Sequence, residues 1–189
     1  MEKEIHVIQG KEMIAEEQLV SFVYKNLGWR QKRSMARRAI NQYIKEKHYF
    51  YHPLWLIKLL VIAERKPFPP RVTPNMAFVD ALSGYRGLFT NIPPTEQKLV
   101  QGGALVAPKI ETEDQVGKYV EQVQRNINRK YLLKKPKYEI KDTFLVYLPL
   151  WFAELEIEGR KQSFIFNVNT GESEEYMARL WESSEWKLV

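Results

Sequence analysis

The sequence predicts an α+β protein made of two diverged copies of one helix-plus-antiparallel-sheet unit, α-β-β-β. The helices are expected on one face, with an extra basic helix in the first copy. Three observations predict this. The element Tyr51-His52-Pro53-Leu54-Trp55 recurs as Tyr147-Leu148-Pro149-Leu150-Trp151, with four of five positions identical. After each tryptophan comes an apolar run, a charged turn, then a second apolar run that closes on Ser-Gly or Thr-Gly. Helical spacing of apolar residues precedes each element.

The strands follow from alternation. Trp151, Ala153, Leu155 and Ile157 alternate with Phe152, Glu154, Glu156 and Glu158, the pattern of a strand with one wet face. Glu158-Gly159-Arg160-Lys161 is suited to close a hairpin onto Ser163–Val168. In the first copy, Leu56-Ile57-Lys58-Leu59-Leu60-Val61-Ile62 is apolar on both faces apart from Lys58, which predicts a covered strand. Nine extra residues separate tryptophan from glycine there. The Pro-rich stretch Pro67–Pro74 is expected to hold them as an extended loop.

The helices follow from caps and spacing. Thr112-Glu113-Asp114-Gln115 has the form of a capping box, and Val116, Val120, Val123 and Ile127 follow on one helical face. Leu19, Val23 and Leu27 form a similar stripe ended by Gly28. Met35, Ala36, Ala39, Ile40, Tyr43 and Ile44 predict a second helix over 29–47 that carries Arg30, Lys32, Arg33, Arg37 and Arg38 on its outer face. A short acidic helix is expected over 174–181. Two segments result: 1–100, with the basic helix and the Pro-rich insertion, and 101–189, with the C-terminal helix. The residues leave open whether these form one domain or two.

Composition narrows the function classes. At 44% hydrophobic and 28% charged residues, the chain of 189 residues is an ordinary globular one. It has no cysteine, which removes disulfide scaffolds, thiolate metal sites and cysteine nucleophiles and agrees with a cytoplasmic setting. The N-terminal stretch has no apolar core of a secretory signal, and Lys58 interrupts the longest apolar run. Charge is unevenly placed. Residues 29–71 carry eleven Lys/Arg against two Glu, whereas 138–189 carry five Lys/Arg against ten acidic residues. The basic pole points to a polyanion or an acidic partner.

The candidate chemistry is sparse. His48 and His52 share a face at four-residue spacing but lack a third ligand, so no metal is expected. Glu154, Glu156 and Glu158 are read as a solvated strand face rather than an acid–base pair. Gly102-Gly103 and Gly84-x-x-Gly87 lack the strand–glycine–helix context and the Lys-Ser/Thr of a phosphate loop. No catalytic residue, cofactor or nucleotide motif stands out. Tyr51, Trp55, Tyr147 and Trp151 are read first as core residues at a pseudo-symmetric junction and second as an interface.

Each second apolar run ends in a recurring turn: Val79-Asp80-Ala81-Leu82-Ser83-Gly84 and Phe166-Asn167-Val168-Asn169-Thr170-Gly171. Asp80 and Asn167 can bond the following backbone, and Gly84 and Gly171 supply a positive φ. This α-β-β-β unit with its Asp/Asn-x-x-Ser/Thr-Gly turn resembles the PepSY and cystatin-like group. The resemblance implies a non-catalytic module that binds or restrains a protein partner. The functional expectation is therefore a non-enzymatic interaction protein, with a homodimer also compatible. Two alternatives stand beside it. One is a nucleic-acid accessory protein that uses the basic helix, and the other is an enzyme or small-ligand binder with a pocket between the repeats.

Overall fold

The computed structural model describes residues 2–10 and 14–182, and they are α+β. In chain order the elements are β1 (Glu2–Ile8), α1 (Glu16–Asn26), α2 (Trp29–Ser34), a 3-10 turn (Arg37–Gln42), β2 (Ile44–Arg65), β3 (Phe68–Asp80), β4 (Arg86–Phe89) and β5 (Thr95–Gln101). They continue with α3 (Glu113–Asn128), β6 (Lys137–Ile157), β7 (Arg160–Asn167) and α4 (Glu175–Glu182). Among the described residues no helix is long and apolar enough to cross a membrane.

The chain forms two compact units, neither contiguous in sequence. The first comprises 1–52, 96–107 and 148–189, the second 53–95 and 108–147. In the first, α1 buries Leu19 and Val23, and its C-cap residue Leu27, against Trp151, Ala153 and Leu155 of β6 and against Phe164 and Phe166 of β7. In the second, α3 buries Val116, Val120, Val123 and Ile127 against Trp55, Ile57, Leu59 and Val61 of β2 and against Ala77 and Val79 of β3. The helix that precedes each tryptophan element in the chain thus packs on the strands of the other element. Strand length is the reason. Trp55 stands eleven residues into β2, past the part of that strand that belongs to the first unit.

The hairpins differ in length. β6 pairs with β7 from Leu150↔Asn167 to Ile157↔Arg160, around a two-residue turn in which Glu158 and Gly159 both have positive φ. That is the turn geometry that matches strand twist. β2 pairs with β3 from Leu54↔Asp80 to Arg65↔Phe68, with a bulge between Ala63 and Arg65. The Pro-rich stretch is therefore strand, not the loop expected from its prolines. The extra residues lengthen the hairpin by four on the outgoing strand and five on the return, and the bulge takes up the odd one. Prolines are admitted because β4 pairs only with Met76–Val79 on the other side of β3, so the first part of β3 needs no second ladder.

The basic segment is a second correction. A continuous helix over 29–47 does not form. Helix α2 covers six residues, Met35 and Ala36 are extended, a 3-10 turn follows, and β2 begins at Ile44. A continuous helix would align Arg30, Arg33 and Arg37 at three- and four-residue spacing, where like charges repel. The break instead buries both Met35 and Ile40 against α1. It also lets the Tyr43 carbonyl accept the Glu156 N–H at 3.0 Å. The cap of α3 differs in detail too. Thr112 is the N-cap without a side-chain bond, and Gln115 Oε1 accepts from the Glu111 N–H at 2.8 Å.

Candidate functional site

The aromatic elements are part of each core. Trp55 is buried, and its Nε1 donates to the Ile110 carbonyl at 2.8 Å, just ahead of α3. Trp151 is buried, and its Nε1 donates to the Ile14 carbonyl at 3.2 Å, just ahead of α1. Each indole thereby ties a strand to the start of the helix that covers it. Tyr51 is buried, with the Lys98 ammonium over its ring. Tyr147 is half-buried, and burial raises its hydroxyl above the usual tyrosine range.

The two turns are built alike. In the second unit Asp80 Oδ1 accepts the N–H groups of Leu82 and Ser83 at 2.8 and 2.9 Å. The Asp80 carbonyl accepts from Gly84, and the Pro53 carbonyl accepts from Ala81. In the first unit Asn167 Oδ1 accepts the Asn169 N–H at 3.0 Å. There the Asn167 carbonyl accepts from Gly171, and the Pro149 carbonyl accepts from Val168. Gly84 and Gly171 sit at φ +70° and +73°, each against an aromatic ring of the covering helix: Tyr119 of α3 and Phe22 of α1. These contacts are structural ones.

Beside the Asn167 turn, the Glu174 carboxylate accepts from Asn167 Nδ2 at 3.4 Å. Burial pushes the Glu174 carboxyl above the usual range and Glu172 adds to this, while the Asn167 amide and His52 oppose it. The folded state keeps this proton to higher pH than the unfolded chain. The group's contribution to stability is therefore lost as pH rises from the unfolded value through the folded one. Glu174→Gln is expected to gain in Tm relative to the unmodified chain as pH rises from the ordinary carboxylate range towards neutrality. A difference that stays constant as pH rises would contradict the assignment.

The basic residues singled out by charge lie on the first unit. Arg30, Arg33, Arg37 and Arg38 are exposed, and none is in a salt bridge among the described residues. Lys32 turns inward, its ammonium donating to the Lys25 carbonyl at 2.6 Å. The extended step at Met35 and Ala36 brings Arg37 and Arg38 against α1. There they line an open groove of about 570 Å³ together with Glu17, Val20, Ser21 and Ala36. Trp29 projects next to Arg30 with 67% of its surface exposed. The groove wall from α1 was not anticipated, although Glu17, Val20 and Ser21 share a face at three- and four-residue spacing beside the buried Leu19–Val23 stripe.

The other residues weighed for chemistry are dispersed. His48 stacks on Phe152 at 5.9 Å, and His52 is buried, four residues further along β2. Among the described residues no group of three His, Cys, Asp or Glu is placed to hold a metal. Glu154 pairs with Lys161 across the β6–β7 hairpin at 2.8 Å. That pairing raises the Lys161 ammonium above its ordinary range. No family model matches the chain, and no curated protein or solved structure is detectably similar to it.

Proposed function

We propose that the chain is a non-enzymatic interaction protein of two diverged helix-and-sheet modules, and that the Arg37–Arg38 groove takes an acidic segment of a protein partner. The observation that carries this reading is the groove itself: two adjacent arginines, in no salt bridge among the described residues, facing a wall of Val20, Ser21 and Ala36 with Glu17 as its one acidic member. Arginine suits such a role because its planar fork pairs carboxylates in a bidentate fashion. The duplication reading draws support from the matching bonds of the two turns and from the two indole–carbonyl ties. A likeness to PepSY and cystatin-like modules fits the same reading, since that group binds or restrains proteins.

A labelled oligo-glutamate peptide tests the proposal. Binding is expected to weaken by about tenfold or more in the Arg37→Glu, Arg38→Glu double variant, with the thermal midpoint unchanged. Undiminished binding in that variant would remove the groove as the site.

Exposure of Trp29 beside Arg30 and Arg33 favours a second reading, a single-stranded nucleic acid that stacks a base on the indole. The second reading replaces the first if single-stranded DNA binds more tightly than the peptide at every salt concentration and Trp29→Ala weakens that binding roughly tenfold.

A further inference from the structure

The strongest feature outside the groove lies in the second unit, where α3 gives way to β6. Residues 129–137 read Arg-Lys-Tyr-Leu-Leu-Lys-Lys-Pro-Lys, five cations with no acid. Leu132 and Leu133 stand in the middle at 97% and 103% exposure, as open to solvent as in an extended chain. Lone exposed apolar residues are common on protein surfaces, but an adjacent pair held fully in water is not.

This loop is anchored to a second feature. Lys134 and Lys137 both pair with Glu64, Lys137 at 3.4 Å, and Glu64 ends the apolar part of β2 next to the β2–β3 turn. Residues 64–72 carry Arg65, Lys66 and Arg71 against Glu64 alone, and they expose Phe68 at 68% and Val72 at 53%. Together the two segments hold eight Lys/Arg and one Glu. That one carboxylate is already occupied by two lysines. The remaining six cations make no salt bridge among the described residues.

We infer that this end of the second unit docks on an anionic lipid surface, with Leu132 and Leu133 entering the headgroup–acyl boundary and the cations facing the phosphates. The inference is independent of the groove, because it uses neither its residues nor its ligand. Two properties select a bilayer over other polyanions. Leucines at a loop tip add nothing to a phosphate-backbone contact, whereas a bilayer interface accepts apolar side chains and attracts the surrounding cations at once. Arg129 and Lys130 also follow directly on the carbonyl end of α3, which favours cations there. That local effect does not extend to Lys66, Arg71 or Lys135, or to the exposed leucines.

The test is co-sedimentation with vesicles of phosphatidylcholine, alone or with roughly one-third phosphatidylglycerol. The expected result is binding to the anionic vesicles and little to the neutral ones. Leu132→Ser with Leu133→Ser should lower the partition at least about tenfold, because two apolar side chains no longer leave water. Lys130→Glu with Lys135→Glu should also weaken it, by several-fold per charge. All four side chains are exposed, so the thermal midpoint should stay where it is. Because the chain has no cysteine, Leu133→Cys carries a single environment-sensitive dye, whose emission should shift to the blue on anionic vesicles. Three outcomes overturn the inference: no anionic-vesicle binding at low salt, full binding by the double-serine variant, or loss of binding in Arg37→Glu, Arg38→Glu instead. The second outcome would identify a purely electrostatic polyanion contact, and the third would move the contact to the groove.

Discussion

Trp55→Ala is expected to be the most destabilising single change in the chain. The indole is buried among Ile57, Val79 and Val116, and its Nε1 satisfies the Ile110 carbonyl. Truncation removes the packing of the largest side chain in this core and leaves a buried acceptor without its donor. A loss of about 3–5 kcal/mol follows from the cavity, with about 1 kcal/mol more from the hydrogen bond. That approaches the whole stability of an ordinary domain, so a substantial unfolded fraction is expected at 37 °C. Guanidinium unfolding followed by circular dichroism measures it. Trp55→Phe separates the two contributions. It retains most of the volume and loses the donor, and should cost about 1–2 kcal/mol. A Trp55→Ala protein within 1 kcal/mol of the parent, judged against the usual ~3 kcal/mol floor for such truncations, would refute the core assignment.

The glycine turns give the second large effect. Gly84→Ala and Gly171→Ala each place a Cβ on a residue with φ near +70°, at 2.4 Å from Tyr119 Cε1 and 2.5 Å from Phe22 Cε1. The left-handed backbone costs an L-residue about 1–2 kcal/mol, and moving a packed ring adds about 1–2 kcal/mol more. Gly159 is the internal control. Its φ is +74°, but nothing lies within 4 Å of an added Cβ, so Gly159→Ala should show only the backbone part. Denaturation midpoints of the three variants should therefore fall into two classes. A Tyr119→Ala background should recover the steric part for Gly84→Ala and leave the backbone part in place. If Gly159→Ala proves as costly as the other two, close packing against the helices is not what those turns require.

Much of the local structure was legible from residues alone. Alternation from Trp151 to Glu158 marked a strand, and the Glu158-Gly159 turn folds back as β7, but the face expected to be wet is not: Phe152 is buried there and Glu154 and Glu156 are half-buried. The Val116–Val120–Val123–Ile127 stripe marked α3, and Leu19–Val23–Leu27 marked α1. These signals are short-ranged: side-chain period, turn chemistry and helix spacing are set within a few residues. Strands β1 and β5 were not anticipated. β1 is too polar over Glu2–Glu4 to read as a strand by composition, and its burial is confined to Ile5, Val7 and Ile8.

The candidate site was legible in its charges and illegible in its geometry. Arg37 and Arg38 were singled out, but on a helix that does not form. Residues Glu17, Val20 and Ser21, which complete the groove, come from a different element. A one-dimensional helical stripe cannot report that burying Met35 and Ile40 together requires an extended step between them. Nor could prolines in β3 announce a strand, since they are admitted only where the second neighbouring ladder is absent. By itself, then, the sequence determined the α+β class, the paired tryptophan elements, the turns with their glycines and the basic charge of residues 29–71. Only the tertiary structure decided which helix covers which strands, because β2 and β6 run 22 and 21 residues and each passes from one unit into the other before its tryptophan is reached.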